Sequence, residues 1–436
     1  MKKDTHPKTK TQENRYTKDF KSVINNVIFN SLGFFFLEFI IPIYASQELS
    51  ATGFQIGLIF SVQTIGLIIS TLFTGFLTDK VKSKTNLILL GSFGRGLAYF
   101  VLYFAIVFKS LIYMGVGTFS IGFFAGFFWI PFDTIIAEKS NKDHRSHAYG
   151  KRDSAVGKGL FIGGLLGFGI LSIGIEFLPG NLFFTYSSIL IYGFSNFVAG
   201  ILFMNRVDES LKFSENNPNA ISATHSEAKS KSPQKTDIGI LVGIGFLSVV
   251  ILMSNINGSL AKPFLNVYVL EKIINNTIFA MLAYIPSGII AMFVAPKLGS
   301  GLDKISPKLG IVTISIIGAI TTWCIINVDN IILFSMLLTI DTAIVNLSNL
   351  LILNLYSRIT ISNRGKLMGL YQFLRNGGFI LGPLLGGLAV DFIDLTAPFI
   401  ISIIVELCLV PFYLSSIHFI KPRLEESFEN SSLIRD

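Results

Sequence analysis

Long apolar runs separated by short polar breaks fill this chain from residue 24 to residue 420. A helix needs about 20 apolar residues to cross a bilayer. Twelve runs meet that length: 24–45, 53–77, 85–108, 111–137, 154–176, 182–204, 238–261, 276–297, 309–328, 330–356, 367–390 and 396–420. Six lie on each side of a polar stretch, 205–237, which holds Asn216-Asn217-Pro218-Asn219 and a run of Ser, Lys, Glu and Thr, and which reads as a flexible linker. Residues 1–23 are polar and Lys-rich and read as a disordered tail, with 421–436 as a second tail. The first apolar run is too long for a cleaved signal peptide. The expected fold is an all-α integral membrane protein of twelve transmembrane helices in two six-helix pseudo-repeats, an N-terminal bundle over 24–204 and a C-terminal bundle over 238–420.

Composition agrees with the pattern. The chain is 51% hydrophobic and 14% charged, where a soluble domain carries about 25% charged residues. The net charge of +8 could suggest nucleic acid, but its distribution excludes that reading. All but six of the 35 Lys and Arg fall on the two tails, the linker and the loops after spans 2, 4, 8 and 10; Lys109 and Lys272 sit on opposite loops, and Arg95, Lys158, Lys262 and Arg375 lie within spans. The positive-inside rule then puts both termini and the linker in the cytosol of a multi-pass plasma-membrane protein. Cys324 and Cys408 both fall in apolar runs, so neither a disulfide framework nor a zinc spacing is present. No Walker loop, metal set or nucleophile–base pair is visible, no histidine lies deep in a span, and no cofactor is implied. The expected surroundings are a lipid bilayer, a small-molecule substrate and protons, and the expected state is a monomer.

The halves repeat. Gly75-Phe76-Leu77-Thr78-Asp79-Lys80, between spans 2 and 3, returns 224 positions later as Gly299-Ser300-Gly301-Leu302-Asp303-Lys304. At the same shift Tyr44 falls on Tyr268 and Glu38 on Lys262. A shift of 219 aligns Arg145 to Gly150 with Arg364 to Gly369, and Gly159, Gly163 and Gly167 with Gly378, Gly382 and Gly386. Parallel repeats of six spans are the layout of one large class of transporters.

These features make the chain resemble the major facilitator superfamily over nearly its whole length. The family's loop between helices 2 and 3 runs Gly-x-x-x-Asp-Arg/Lys-x-Gly-Arg-Arg/Lys; Gly75, Asp79, Lys80 and Lys84 match, while Lys82 and Ser83 depart from it. A Gly-Pro-x-x-Gly-Gly pattern, familiar from helix 5 of many antiporters, stands in span 11 as Gly382-Pro383-Leu384-Leu385-Gly386-Gly387; span 5 has Gly163-Gly164-Leu165-Leu166-Gly167, and the Arg expected early in helix 4 is absent. The resemblance implies a twelve-helix secondary transporter working by alternating access. It also implies a cytosolic latch, in which Asp79 sits against the N-terminus of helix 11 and Asp133 joins the network. A carboxylate there is favoured by the helix dipole and free N–H groups, and Gly75 would let helices approach closely.

Ionisable side chains inside spans are costly and usually face a cavity. Glu38 and Lys262, related by the repeat, could meet across the centre or snorkel to the outer interface. Arg95 is ten residues into span 3 and needs a partner, either an internal ion pair or a substrate. Asp341 stands mid-span 10 with no acidic repeat partner, since position 122 is Gly. Glu38 and Asp341 read as the deepest acids and the candidates for carrying protons. Lys158 and Arg375 could bind an anion or belong to the latch. The aromatic face of span 4, with Phe124 and Phe128 four apart, lines either lipid and core or an apolar cavity. The leading expectation is a proton-coupled secondary transporter, possible in the efflux direction. The alternatives are an organic-anion exchanger or uniporter using the cationic set, and a non-transporting membrane sensor or scaffold.

Overall fold

The computed structural model describes residues 15–81, 83–141, 144–213, 238–288, 307–357 and 364–432. Gly299, Asp303 and Lys304, the second copy of the signature loop, lie outside them, as does the side chain of Asp79. Helices α1 (Phe20–Asn30) and α2 (Phe34–Gln47) make the first span; α3 (Gly53–Lys80), α4 (Lys84–Val107), α5 (Leu111–Glu138) and α6 (Arg145–Phe177) follow. A short α7 (Leu182–Thr185) leads into α8 (Ser188–Arg206). The second half holds α9 (Ile238–Leu260), α10 (Lys262–Tyr268), α11 (Thr277–Leu282), α12 (Pro307–Ile325), α13 (Ile331–Ser357), α14 (Arg364–Phe392) and α15 (Ala397–Ser432). Among the described residues, eleven stretches are long and apolar enough to cross a membrane. The shorter apolar stretch Thr277–Gly288 begins where the eighth span is expected, and that span's remainder lies outside the described residues.

One span is broken where hydrophobicity predicted continuity, and another, expected to end at 261, goes on past Pro263 as a second helix. Between α1 and α2, the Arg95 guanidinium takes the Asn30 carbonyl at 2.7 Å, an oxygen that a continuous helix would have used itself. Between α9 and α10, Pro263 lacks the N–H that would bond the preceding turn, so a new helix starts with Pro in its first turn. After α10 the chain winds through one π turn, Val269–Ile273, before leaving the membrane.

In the first half α5 packs on α3 and α4, α8 on α4, and α1 and α2 on α6; in the second, α9 packs on α14 and α15, and α12 on α13 and α15. The halves meet along α3 with α14 and α2 with α10. Among the described residues, their apolar cores are joined at one face. One cluster there runs continuously from Phe36, Phe39 and Tyr44 to Phe264, Leu270, Met281 and Phe334. Toward the basic loops each half has its own cluster, around Phe128, Phe132 and Phe203 in the first and around Leu247, Tyr413 and Ile417 in the second.

The segments read as free tail and linker are pinned where they are described. Lys139 is 1% exposed. Its Nζ reaches Asp19 at 2.7 Å, the Asp208 carbonyl at 2.7 Å and the Leu211 carbonyl at 3.0 Å. A buried ammonium must be fully satisfied, and here residues on both sides of the first bundle supply the acceptors. Tyr16 stacks on Phe20 with ring centroids 4.2 Å apart, and α15 continues as helix through 421–432.

Arg95 is fully buried and, among the described residues, has no acidic partner. Neutral groups hold it: the Asn30 side-chain oxygen and carbonyl, and the face of Phe34 at 4.5 Å. Replacing Asn30 by Leu strips the charge of its main acceptor and should cost about 2–3 kcal/mol. It should lower the unfolding temperature in detergent markedly. Adding Arg95→Met should recover most of the loss, because the unpaired charge leaves with its partner. A double variant no more stable than Asn30→Leu would refute this account of Arg95.

Candidate functional site

Two connected cavities of about 360 Å³ and about 480 Å³ lie between the halves and share Glu38, Phe60, Lys262, Pro263 and Phe379 in their walls. α2 carries Glu38 and α10 carries Lys262 to within 3.1 Å of each other, an ion pair joining the halves. Both side chains remain more than half exposed to the cavity, so they do not snorkel outward. Asn266 donates to the Glu38 carbonyl at 3.1 Å and fixes the same contact through the backbone.

The larger cavity reaches Asp341 on α13 and Glu406 on α15. Glu406 was missed in the reading of the spans, although the rule that singled out Asp341 applies equally to an acid ten residues into span 12. Glu406 accepts from Ser315 Oγ at 2.8 Å and Asn257 Nδ2 at 3.1 Å. Among the described residues neither acid is in an ion pair. The deep acids are therefore Asp341 and Glu406, and Glu38 is a paired one.

The other candidates disperse. Arg95 is sealed in the first bundle and lines neither cavity, which removes it from substrate contact. Lys158 and Arg375 are exposed, and Arg375 lies over the Phe379 ring at 5.5 Å. Asp133 pairs within its own half, with Arg152 at 2.5 Å. Phe128 is core, while Trp129 lines the smaller cavity.

The signature loop is held by a residue the motif does not contain. Glu209, beyond span 6, accepts from Ser83 Oγ at 2.9 Å, Lys84 N–H at 2.6 Å, and both Thr85 groups. It thereby caps the open N–H groups that start α4. Ser83, where the family has Arg, suits this role as a hydroxyl donor. Lys84 bonds Glu138 at 2.9 Å, and Lys80 folds over the Phe76 ring at 3.8 Å. Among the described residues, a side chain at Gly75 would meet nothing within 4 Å.

The close approach lies at the opposite end of α3. Pro383 and Gly387 press their carbonyl oxygens against Gly57 and Gly53 respectively, where any Cβ would collide with backbone. Ser61 Oγ donates to the Ile380 carbonyl at 2.7 Å. Asp391, at the end of α14, takes the first free N–H groups of α3, from Gly53 at 2.5 Å and Phe54 at 2.8 Å. Thr52 takes the next, from Gln55. This is the acid-on-helix-start arrangement expected for Asp79, observed at the other face with other residues. Within each half, Gly163 and Gly167 admit Leu32 and Phe36, and Gly382 and Gly386 admit α9 at Ile256 and Leu260.

Residues 24–360 match the family model of the Major Facilitator Superfamily. The fold is similar to a bacterial homolog of the human lysosomal transporter Spinster in an inward-facing, unoccupied conformation (TM-score 0.66, 13% identity, covering 92% of this chain and 96% of that one). It is also similar to the nucleoside transporter NupG (0.67, 13%, 92% and 99%) and to a protein solved for substrate recognition in proton dependent oligopeptide transporters (0.65, 15%, 94% and 99%). No curated protein sequence matches the chain.

Two outcomes follow from these contacts. Burial raises the Glu209 carboxyl, but the bonds from Lys84, Ser83 and Thr85 outweigh it and hold the group below the usual carboxylate range. A depressed value stabilises the fold above the unfolded value of about 4.3 and loses that contribution as pH falls through the folded one. Glu209→Gln should therefore unfold earlier than wild type at pH 7, and the gap in unfolding temperature should close as pH falls through the carboxyl's lowered range; a pH-independent gap would refute the assignment. Asp391→Ala should open the closed face. With Cys324 and Cys408 replaced by Ser and Thr64→Cys placed in the cavity wall, an impermeant thiol reagent on the Asp391 side should label about tenfold faster, equivalent to ~1.4 kcal/mol. Unchanged labelling would deny Asp391 that role.

Proposed function

The chain belongs to the major facilitator superfamily and is a multi-pass membrane transporter, and from that premise we propose that it moves a small solute by alternating access, coupled to protons through Asp341 and Glu406. The single observation that carries the coupling is the pair of carboxylates in one membrane-embedded cavity without an ion-pair partner among the described residues. Two uncompensated charges there are costly, so the cavity calls for a proton or a cationic ligand. A proton bound in one conformation and released in the other shifts the equilibrium between them. The related oligopeptide transporters are described as proton dependent, which agrees with this reading.

The form at hand is closed at the face away from the basic loops, through the fused apolar cluster, the α3–α14 seam and Asp391. With the basic loops cytosolic, that is the outer face of the plasma membrane, and both termini and the 205–237 linker lie inside. The protein works as a monomer, and export of the solute in exchange for protons suits this arrangement. Anion exchange finds little support, since Arg95, Lys158 and Arg375 do not converge and Lys262 is already paired.

The test is flux in proteoliposomes with an imposed pH gradient. Asp341→Asn and Glu406→Gln, which mimic protonated acids, should each abolish gradient-driven accumulation, while exchange of solute for solute persists at saturating solute. Glu38→Gln should slow both modes and leave the pH dependence in place. Wild-type accumulation in both Asp341→Asn and Glu406→Gln would overturn proton coupling through this pair.

A further inference from the structure

The cavity wall joins acids to aromatic rings. The second half supplies the carboxylates of Asp341 and Glu406; rings come from both halves, Phe35, Phe39 and Phe60 on α2 and α3, and Tyr284, Phe379 and Phe399 from the other. Among the described residues Lys262 is the one ammonium in the lining, and Glu38 balances it at 3.1 Å. Glu406 is anchored by neutral donors alone, and one of them is the Asn257 amide at 3.1 Å. Spending its NH₂ on Glu406 fixes the amide orientation. Asn257 Oδ1 is thereby left as an acceptor that is shielded from solvent and has no hydrogen-bond partner. The two carboxylates when ionised and this oxygen accept hydrogen bonds and donate none. Two anions with no ion-pair partner among the described residues describe a site that lacks a ligand bearing both N–H groups and positive charge.

We propose that the solute is an organic ammonium ion, a protonated amine with an aromatic or bulky apolar body. Its N–H groups reach Asp341 and Glu406, and its body lies on Phe35, Phe39 and Phe60. This rests on the cavity being the transport site. An anion would meet two like charges and, among the described residues, no cation free of a partner. A neutral polyol would satisfy hydrogen bonds and leave the charge. A bare metal ion would gain nothing from the phenyl wall, and the cavity of about 480 Å³ falls in the size range of organic-ligand sites. Cation and proton would compete for the same carboxylates, so occupancy by one excludes the other, which is the logic of exchange in opposite directions.

Equilibrium binding to the purified full-length protein in nanodiscs tests the proposal with 2-phenylethylammonium, 1-adamantylammonium, neutral 2-phenylethanol, the anion 3-phenylpropionate and sodium. At least one ammonium probe should bind at least tenfold tighter than 2-phenylethanol, and 3-phenylpropionate and sodium should have no effect. Asp341→Asn or Glu406→Gln, checked for an unchanged elution profile, should weaken ammonium binding tenfold or more and leave 2-phenylethanol where it was. Phe60→Ala should weaken both. The proposal fails if neither ammonium probe binds, if the neutral or anionic probe binds as well, if sodium alone reproduces the effect, or if neither acid variant changes ammonium affinity. Ammonium binding without pH-driven flux would sink proton coupling and spare the ligand class; pH-driven flux without ammonium binding would do the reverse.

Discussion

A charge placed inside a membrane protein must be neutralised by what the protein itself can bring to it. This chain meets that constraint in three ways, and the three grade from structure into function. Arg95 is given neutral dipoles and an aromatic face and is sealed off, and the first span is broken to do it. Glu38 and Lys262 are given each other, one from each half. Asp341 and Glu406 share a cavity with amides and hydroxyls and, among the described residues, form no ion pair. The first arrangement leaves nothing for a ligand to do. The last is complete only when something else enters.

The same economy governs the seam between the halves. Helix backbones approach closely only where side chains are absent, and Gly53, Gly57 and Gly387 provide that at one end of the α3–α14 pair. The free N–H groups that such an approach buries are answered by Asp391 and Thr52. At the other end, among the described residues, nothing lies within 4 Å of a side chain placed at Gly75, and each half keeps a separate apolar cluster. Rocking the halves would have to trade one end for the other: the Asp391 contact and the fused cluster would be lost where they now stand, and contacts of similar kind gained near Gly75.

Much of this could be read from the residues, for physical reasons that also mark the limits. Span length and the basic-loop bias depend on composition along the chain, and they located the helices. The offset of the repeat brought Glu38 and Lys262 to equivalent places, and pseudo-symmetry across a central axis makes such places neighbours. The break within the first span was not visible, because the Asn30 carbonyl is claimed by a guanidinium 65 positions away. Glu209 and Asp391 were missed because each acts through a tertiary contact on another helix start, with no local signature beyond an acid near a span end. Glu406 had the same local signature as Asp341, and the rule was not applied to it.

The relative strengths of these contacts decide what holds the closed face. Glu38 and Lys262 are 52% and 61% exposed at the side chain, and ion pairs that wet contribute about 0–1 kcal/mol. They set which residues face one another and add little to closure. Asp391 accepts two N–H groups as a charged partner at a partly buried helix start, which is worth up to ~2 kcal/mol. The fused apolar cluster contributes where it crosses between the halves, as Phe39 does against Tyr284 with ring centroids 5.4 Å apart, since each fully buried large side chain adds about 1.5–3 kcal/mol. A ligand in the cavity cannot break such a cluster by force. It can only favour whichever arrangement binds it better. That demands a form closed at the opposite face whose own contacts nearly match these, so that the difference lies within reach of one ligand and one or two protons. The unpaired acids sit on α13 and α15, helices that pack within their own half rather than in the α3–α14 seam. Charging or neutralising them therefore changes the cavity without first breaking the seam, which leaves the seam free to answer.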